Sequence, residues 1–351
     1  MMKRISINFI IIVASFLLFS CQSLRIINVE VYNPSPITFP REVKTVMIID
    51  NSAQQPDVMG HRFVSDSEKD SVLSVSADST AYLFCMSLGN AIAESPIFYD
   101  VRICEDTIRT DSLFFESNIF SLNEVNSICF DYGVDALISL DKIFFSSIFS
   151  EHKLRSYSFI YDNTVSVDVS GELRVFWPGQ KEVFVFHIDD SIKWYLVDPF
   201  IRAENAFPAA EVRSAMKSLS ETSGWKMHYN IVPHWSDDKR WYYLNMLSSE
   251  WKQGTAFFIA EKWEEANDIW TSLFGKSKKW KQKAQLASNI ALCYEMSGDF
   301  EKAIEYAGIS YGFYKENSDE NNYYTKLQLS LITVLKERME NDKKLSRQLG
   351  E

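Results

Sequence analysis

The chain has few cysteines, no excess of basic charge, no apolar run long enough to cross a membrane and none of the short motifs of common enzyme chemistry. Each shortage excludes something. A spanning helix needs about 20 consecutive apolar residues, and the longest run, Ile5 to Phe19, stops short of that. With 36 Lys and Arg against 47 Asp and Glu, the formal charge is -11, which speaks against nucleic acid and against adhesion to anionic headgroups, since both need a basic face. Five cysteines without CxxC or metal spacing read as thiols inside apolar segments. Cys85, Cys104, Cys129 and Cys293 are expected to be buried and free, with Cys104 and Cys129 the one pair worth testing for a bridge. GxSxG, P-loop, GxGxxG and HExxH are all missing, so no catalytic residue, cofactor or metal is expected.

The first twenty-one residues, MMKRISINFIIIVASFLLFSC, are informative in their own right. Lys3 and Arg4 precede a short apolar run that Ser20-Cys21 closes, which is the pattern of an export signal. Leu18-Phe19-Ser20-Cys21 resembles a lipobox, in which the cysteine is acylated and becomes the first residue. Residues 1–20 are therefore expected to be a lipoprotein signal peptide and Cys21 the lipidation site, so that the membrane is reached through the acyl chains. Loss of Lys3 and Arg4 with that segment takes the formal charge from -11 to -13. No acidic run follows Cys21, only QSLRIIN, which favours the periplasmic face of an outer membrane. Asp-Ser/Thr steps at Ser71, Ser79, Thr107, Ser112 and Ser191 resemble an O-glycosylation sequon of exported proteins.

With 46% hydrophobic residues the chain can bury a core. Val43–Asn51 reads as a strand buried on both faces. Residues 52–76 are polar and read as a long loop. Ala77–Glu94 has helical spacing and ends before Pro96, and Ile97–Cys104 is the next strand. Ser121 and Glu124 form a capping box opening a helix over 122–132, which Gly133 ends, and Val134–Phe145 is again a strand. Alternation around Pro178-Gly179 then gives an antiparallel hairpin. Ile27, Val29 and Val31 also alternate, close behind Cys21. Residues 21–205 are thus expected to form an α+β or α/β sheet domain, residues 206–249 connecting helices, and residues 250–351 an all-α region.

That last region contains an internal repeat. Gly254, Phe257, Trp263, Ala266 and Trp270 align with Ala291, Tyr294, Phe300, Ala303 and Ala307 at a constant spacing of 37 residues. SNIALCYEMSGDFEKAIEYA resembles a tetratricopeptide motif, with small Ala291 and Ala303, aromatic Tyr294 and a turn at Gly298. The first copy has Glu261-Lys262 where a Gly-Asp turn is expected. Asp319–Gln348 is read as a cap.

Three strongly polar or aromatic features remain. All nine Trp lie between Trp177 and Trp280, and Trp235, Trp241, Tyr242 and Tyr243 are the candidates for a binding surface. His234 near Asp237 and Asp238 is read as an aromatic surface turn. Asp50 ends a buried strand, where sites in open α/β sheets lie.

The segments CQSLRI, KTVMIIDNS, YGVDALISLDKI and VPHW…RWYY resemble an uncharacterised family of Bacteroidota lipoproteins, with an N-terminal domain of unknown function and C-terminal tetratricopeptide repeats. A more distant resemblance is to periplasmic assembly lipoproteins such as the curli-secretion lipoprotein. The lipobox, the repeats and the lack of catalytic motifs together lead to the expectation of a non-enzymatic envelope protein that binds a protein partner through its repeat region and adjoining sheet domain. The aromatic cluster at 225–243 keeps a glycan- or peptidoglycan-binding alternative open.

Overall fold

The computed structural model describes residues 23–65, 71–106, 108–109, 111–116, 118–153, 161–180, 182–196 and 209–350. Cys21 and Thr107 lie outside the described residues. The chain divides into two compact units, one of residues 34–234 with 345–351, the other of the N-terminal residues to Asn33 with 235–344.

The first unit is built on a seven-stranded sheet. Strands β2 (Thr45–Asp50), β5 (Asp100–Ile103) and β6 (Ala136–Lys153) are parallel, with β2 between the other two. β7 (Tyr161–Phe176) and β8 (Phe184–Leu196) follow as an antiparallel hairpin on the other edge of β6. Helix α1 (Thr80–Ala93) lies between β2 and β5 in the chain and leads into β5, and α2 (Leu122–Tyr132) connects β5 to β6. The two crossovers run in opposite directions across β2. Right-handed crossovers therefore put the two helices on opposite faces.

The core follows that geometry. Val46 and Ile48 face Phe84, Leu88 and Ile92 of α1, whereas Met47 and Ile49 face Val125 and Cys129 of α2. This explains why β2 reads as an apolar run without alternation. α2 opens with both bonds of its capping box, Glu124 N to Ser121 Oγ at 3.3 Å and Ser121 N to Glu124 Oε2 at 2.7 Å. Helix α3 (Ala209–Met227) joins the α1 face through Val212, Met216 and Leu219. Cys85, Cys104, Cys129 and Cys293 are all buried and free.

Two expectations for the sheet region need correction. Residues 52–76 are more than a loop. They hold a 3-10 turn at Asp57–Met59, strand β3 (His61–Ser65), which pairs parallel with the distal half of β6, and β4 (Ser71–Leu73). Short edge strands in polar sequence carry little periodic signal. The alternation at Ile27, Val29 and Val31 does mark a strand, β1 (Ser23–Asn33), but it pairs with β9 (His234–Leu244) as a separate two-stranded sheet.

β9 also corrects the expectation of connecting helices throughout 206–249. Helix α3 forms, but His234–Leu244 is extended. The run Trp241-Tyr242-Tyr243 hides the period of two, because half-buried Trp241 packs against the same core as buried Tyr242 and Tyr243.

The second unit places the β1–β9 ribbon with helices α4 (Ser249–Ile259), α5 (Trp263–Lys276), α6 (Trp280–Met296), α7 (Phe300–Asn317) and α8 (Tyr323–Leu349). Consecutive helices from α4 to α7 pack on one another. In α6 every residue from Ala284 to Cys293 is buried, so this helix is covered all round rather than on one stripe.

Candidate functional site

The repeat residues meet at the helix–helix seams. Gly254 of α4 lies against Trp270 of α5 so closely that a Cβ there would be 2.6 Å from the indole Nε1. Ala266, Ala291 and Ala303 are fully buried, and Phe257, Trp263 and Tyr294 are half-buried around them. The two inter-helix turns repeat the same backbone. Glu261 has φ 60° and Gly298 has φ 78°. Lys262 N donates to Phe257 O and Asp299 N to Tyr294 O, each at 2.9 Å. Glu261 thus adopts the left-handed turn that glycine takes in the second copy.

β9 is tied to α6 and α8. The Asn289 carboxamide clasps one residue of the strand, with Tyr243 N donating to Oδ1 at 2.7 Å and Nδ2 donating to Tyr243 O at 2.8 Å. Trp251 Nε1 donates to the same carbonyl at 2.8 Å, and Gln328 Nε2 to the Tyr243 hydroxyl at 3.1 Å. Arg240 is paired with fully buried Glu295 at 2.8 Å, which Arg338 also reaches at 2.6 Å, and Arg240 takes Asp238 at 2.6 Å. Of the four predicted binding aromatics, Tyr242 and Tyr243 are therefore core and Trp241 is half-buried. Trp235 alone is exposed, with its ring centroid 4.8 Å from that of Tyr32.

In the sheet unit the end of β2 opens onto a cavity of about 480 Å³, lined by Asp50, Ser52, Gln54, Gln55, the turn Ala77–Tyr82, Arg109, Asp111 and Ser112, with Ile143 and Phe145 as its apolar wall. It exists because β2 and β3 use different halves of one edge of β6. β2 pairing ends at Asp50–Leu140 and β3 pairing begins at His61–Ser147. Gln55 spans the gap by imitating a strand, its Nε2 donating to Phe145 O and its Oε1 accepting from Phe145 N, each at 2.8 Å. Asp50 Oδ1 accepts from Ser52 N at 3.0 Å and from Ser52 Oγ at 2.6 Å. Burial pushes the Asp50 carboxyl above the usual aspartate range, and the two Ser52 bonds oppose this without cancelling it.

On the opposite face a β-bulge between Leu140 and Lys142 buries Asp141 completely. Its carboxylate accepts from Ser139 Oγ, from Asn51 Nδ2 at 3.2 Å and from Arg174 Nη1 at 2.5 Å. Every bond is internal, which marks a structural network. His61 and Ser147 are likewise a buried pair, Nδ1 to Oγ 2.7 Å, but Ser147 Oγ donates to Ser166 O at 3.1 Å. With the serine hydroxyl so used, His61 Nδ1 is placed to donate to Oγ.

Residues 43–243 match a family model described as a domain of unknown function, DUF8603. The chain belongs to the DUF8603 family. Residues 252–337 match a second domain of unknown function, DUF6340. No curated protein matches the chain. The DUF8603 match spans β2 to β8 and nearly all of β9, and the DUF6340 match spans α4 to α7 with half of α8.

Within the DUF8603 region one further surface escapes motif reasoning. Phe114 and Phe120 are buried, with ring centroids 6.0 Å from Phe144 and 6.5 Å from Phe176. Between and beside them Leu113, Phe115, Ile119 and Leu122 are exposed, Phe115 at 71%. Buried Arg109 fixes the segment by donating to Leu113 O at 2.9 Å and to Glu116 O at 2.8 Å. It also holds the Asp111 carboxyl below the usual range. An apolar stretch with neither helical nor strand period was the available signal.

Proposed function

We propose that this chain is a lipid-anchored cell-envelope protein, facing the periplasm from an outer membrane, that acts by binding another protein rather than by catalysis. The observation that carries the reading is the segment 113–122. Leu113, Phe115 and Ile119 of the loop and Leu122 at the start of α2 stand in solvent there, beside Phe114 and Phe120, which are buried. Clustered exposed apolar surface marks an interaction site, and pinning lowers the ordering cost of binding. Exposed Asp111, Glu116 and Glu124 rim the segment. That acidic border disfavours an anionic membrane surface and suits a protein partner with an apolar patch edged by Lys or Arg.

The helix pairs α4–α5 and α6–α7 are read as tetratricopeptide-like, which the 37-residue spacing and the shared turn support. The face of α6 that carries Asn289 and Glu295 is taken by the chain's own β9. The repeats serve in this reading as a scaffold. Cys21 supplies the anchor, and labelling with a palmitate analogue should be lost in Cys21→Ser.

The test of the docking surface is a Leu113→Ser/Phe115→Ser double variant of the full chain. It should keep the wild-type melting temperature and lose a stoichiometric protein that co-purifies from detergent-solubilised membranes. Retention of that protein, or loss of vesicle binding by purified chain in its place, would overturn the assignment. Exposed Trp235 against Tyr32 favours a second, glycan-binding reading. Soluble peptidoglycan fragments should then quench Trp fluorescence in the wild type but not in Trp235→Ala.

A further inference from the structure

The cavity at the end of β2 has the position and size of a small-molecule site. In open α/β sheets ligands bind outside the carboxyl ends of the strands, where successive crossovers leave in opposite directions. Here that point lies between β2 and β6: the crossover through α1 leads away to β5, and the one through α2 returns across to β6. About 480 Å³ falls within the range of ligand pockets. The first turn of α1, opened by Ser79 at φ 68°, and the loop after β5 form two of its walls.

The lining fixes the ligand chemistry. Three carboxylates reach the cavity, and its one cationic side chain among the described residues, Arg109, is consumed by Asp111 at 2.9 Å and by two carbonyls. Among the described residues the Asp78 carboxylate has only the Gln54 amide, 2.6 Å from Oδ1. Asp50 has only Ser52, and its Oδ2 makes no hydrogen bond among the described residues. The positive end of α1 offsets about half a charge, which leaves the cavity acidic. Tyr82 and the Ser79 and Ser112 hydroxyls supply further hydrogen-bonding groups at its lining. Among the described residues no three His, Cys, Asp or Glu side chains converge as a metal site would require, which favours an organic cation.

We propose that this cavity binds a small molecule bearing a primary ammonium group, with Asp50 and Asp78 as its counter-ions and Ile143 and Phe145 against its carbon skeleton. The site adjoins the protein-docking surface proposed above through Arg109 and Asp111, whereas Asp50 and Asp78 belong to the cavity alone.

The experiment is calorimetric titration of the full chain with 1,4-diaminobutane, with 1,4-butanediol as the neutral isostere and calcium chloride as the inorganic cation. The diamine should bind, the diol should not, and Asp50→Asn should weaken the diamine at least tenfold. Should Asp50→Asn fail to fold, Asp78→Asn, at an exposed position, should weaken it similarly. No heat with the diamine, equal binding of the diol, tighter binding of calcium, or wild-type affinity in the folded variants would each overturn the proposal.

Discussion

Glu261 is the residue most out of place in the helical unit, and replacing it with glycine should stabilise the protein. Its φ of 60° is that of a left-handed residue, matched 37 positions later by Gly298 at 78°. Holding a side chain in this region costs roughly 1–2 kcal/mol, while glycine loses about 0.5–1 kcal/mol through its freer unfolded chain. Glu261 is exposed and makes no side-chain hydrogen bond or ion pair among the described residues, so nothing else is forfeited. The net gain for Glu261→Gly is about 0.5–1 kcal/mol, or a rise of about 1–4 °C in Tm. The mirror change Gly298→Ala adds a Cβ that meets nothing within 4 Å, so its loss, about 1 kcal/mol, is purely conformational. Thermal and urea melts followed by far-UV ellipticity read both variants. A Glu261→Gly protein less stable than wild type, or a Gly298→Ala protein unchanged, would refute the view that the two turns are copies of one structure.

Three other outcomes follow from the same structure. Asn289→Ala strips the buried Tyr243 N–H of its acceptor and should cost about 2–3 kcal/mol; Asn289→Asp should cost at least as much, because a carboxylate cannot donate to Tyr243 O, and urea titration separates the two. Gly254→Ala drives a methyl against the Trp270 indole and should destabilise by about 1–3 kcal/mol, visible as a shift in Trp emission and in the urea midpoint. The Asp50 carboxyl is raised in the folded state by burial, so the native state holds its proton to higher pH than the unfolded chain does. Stability should therefore fall as pH rises from the ordinary aspartate value of 3.8 to the folded one, and level off above it. Asp50→Asn should remove that slope and raise stability at neutral pH. A slope unchanged in the variant would contradict the assignment to Asp50.

The mixed sheet region followed by helices was legible because its decisive elements are locally coded. β2 is a β-branched run bounded by polar residues, and α2 carries its own cap and its own stop at Gly133. The repeat was legible because small residues recur at one spacing. What escaped was set by distant partners. β1 alternates correctly, yet alternation does not say which strand it pairs with, and β9 lays eleven residues, polar or aromatic except Leu244, across α6. Asp50 could be flagged as a strand end facing a crossover. Its neighbours in the cavity could not, since Gln55 acts through β6 and Arg109 through a loop beyond β5. The aromatic cluster was left between packing and binding because aromatics serve both surfaces and cores, and burial divided it.

The most direct test of the central reading is site-specific photo-crosslinking in cells at Phe115. A benzoylphenylalanine placed there in the otherwise wild-type chain should give one discrete adduct with a second protein, while the same probe at exposed Lys193 of β8 should give none. Equal adducts from both positions, or none from Phe115 in a folded, membrane-associated chain, would contradict the account.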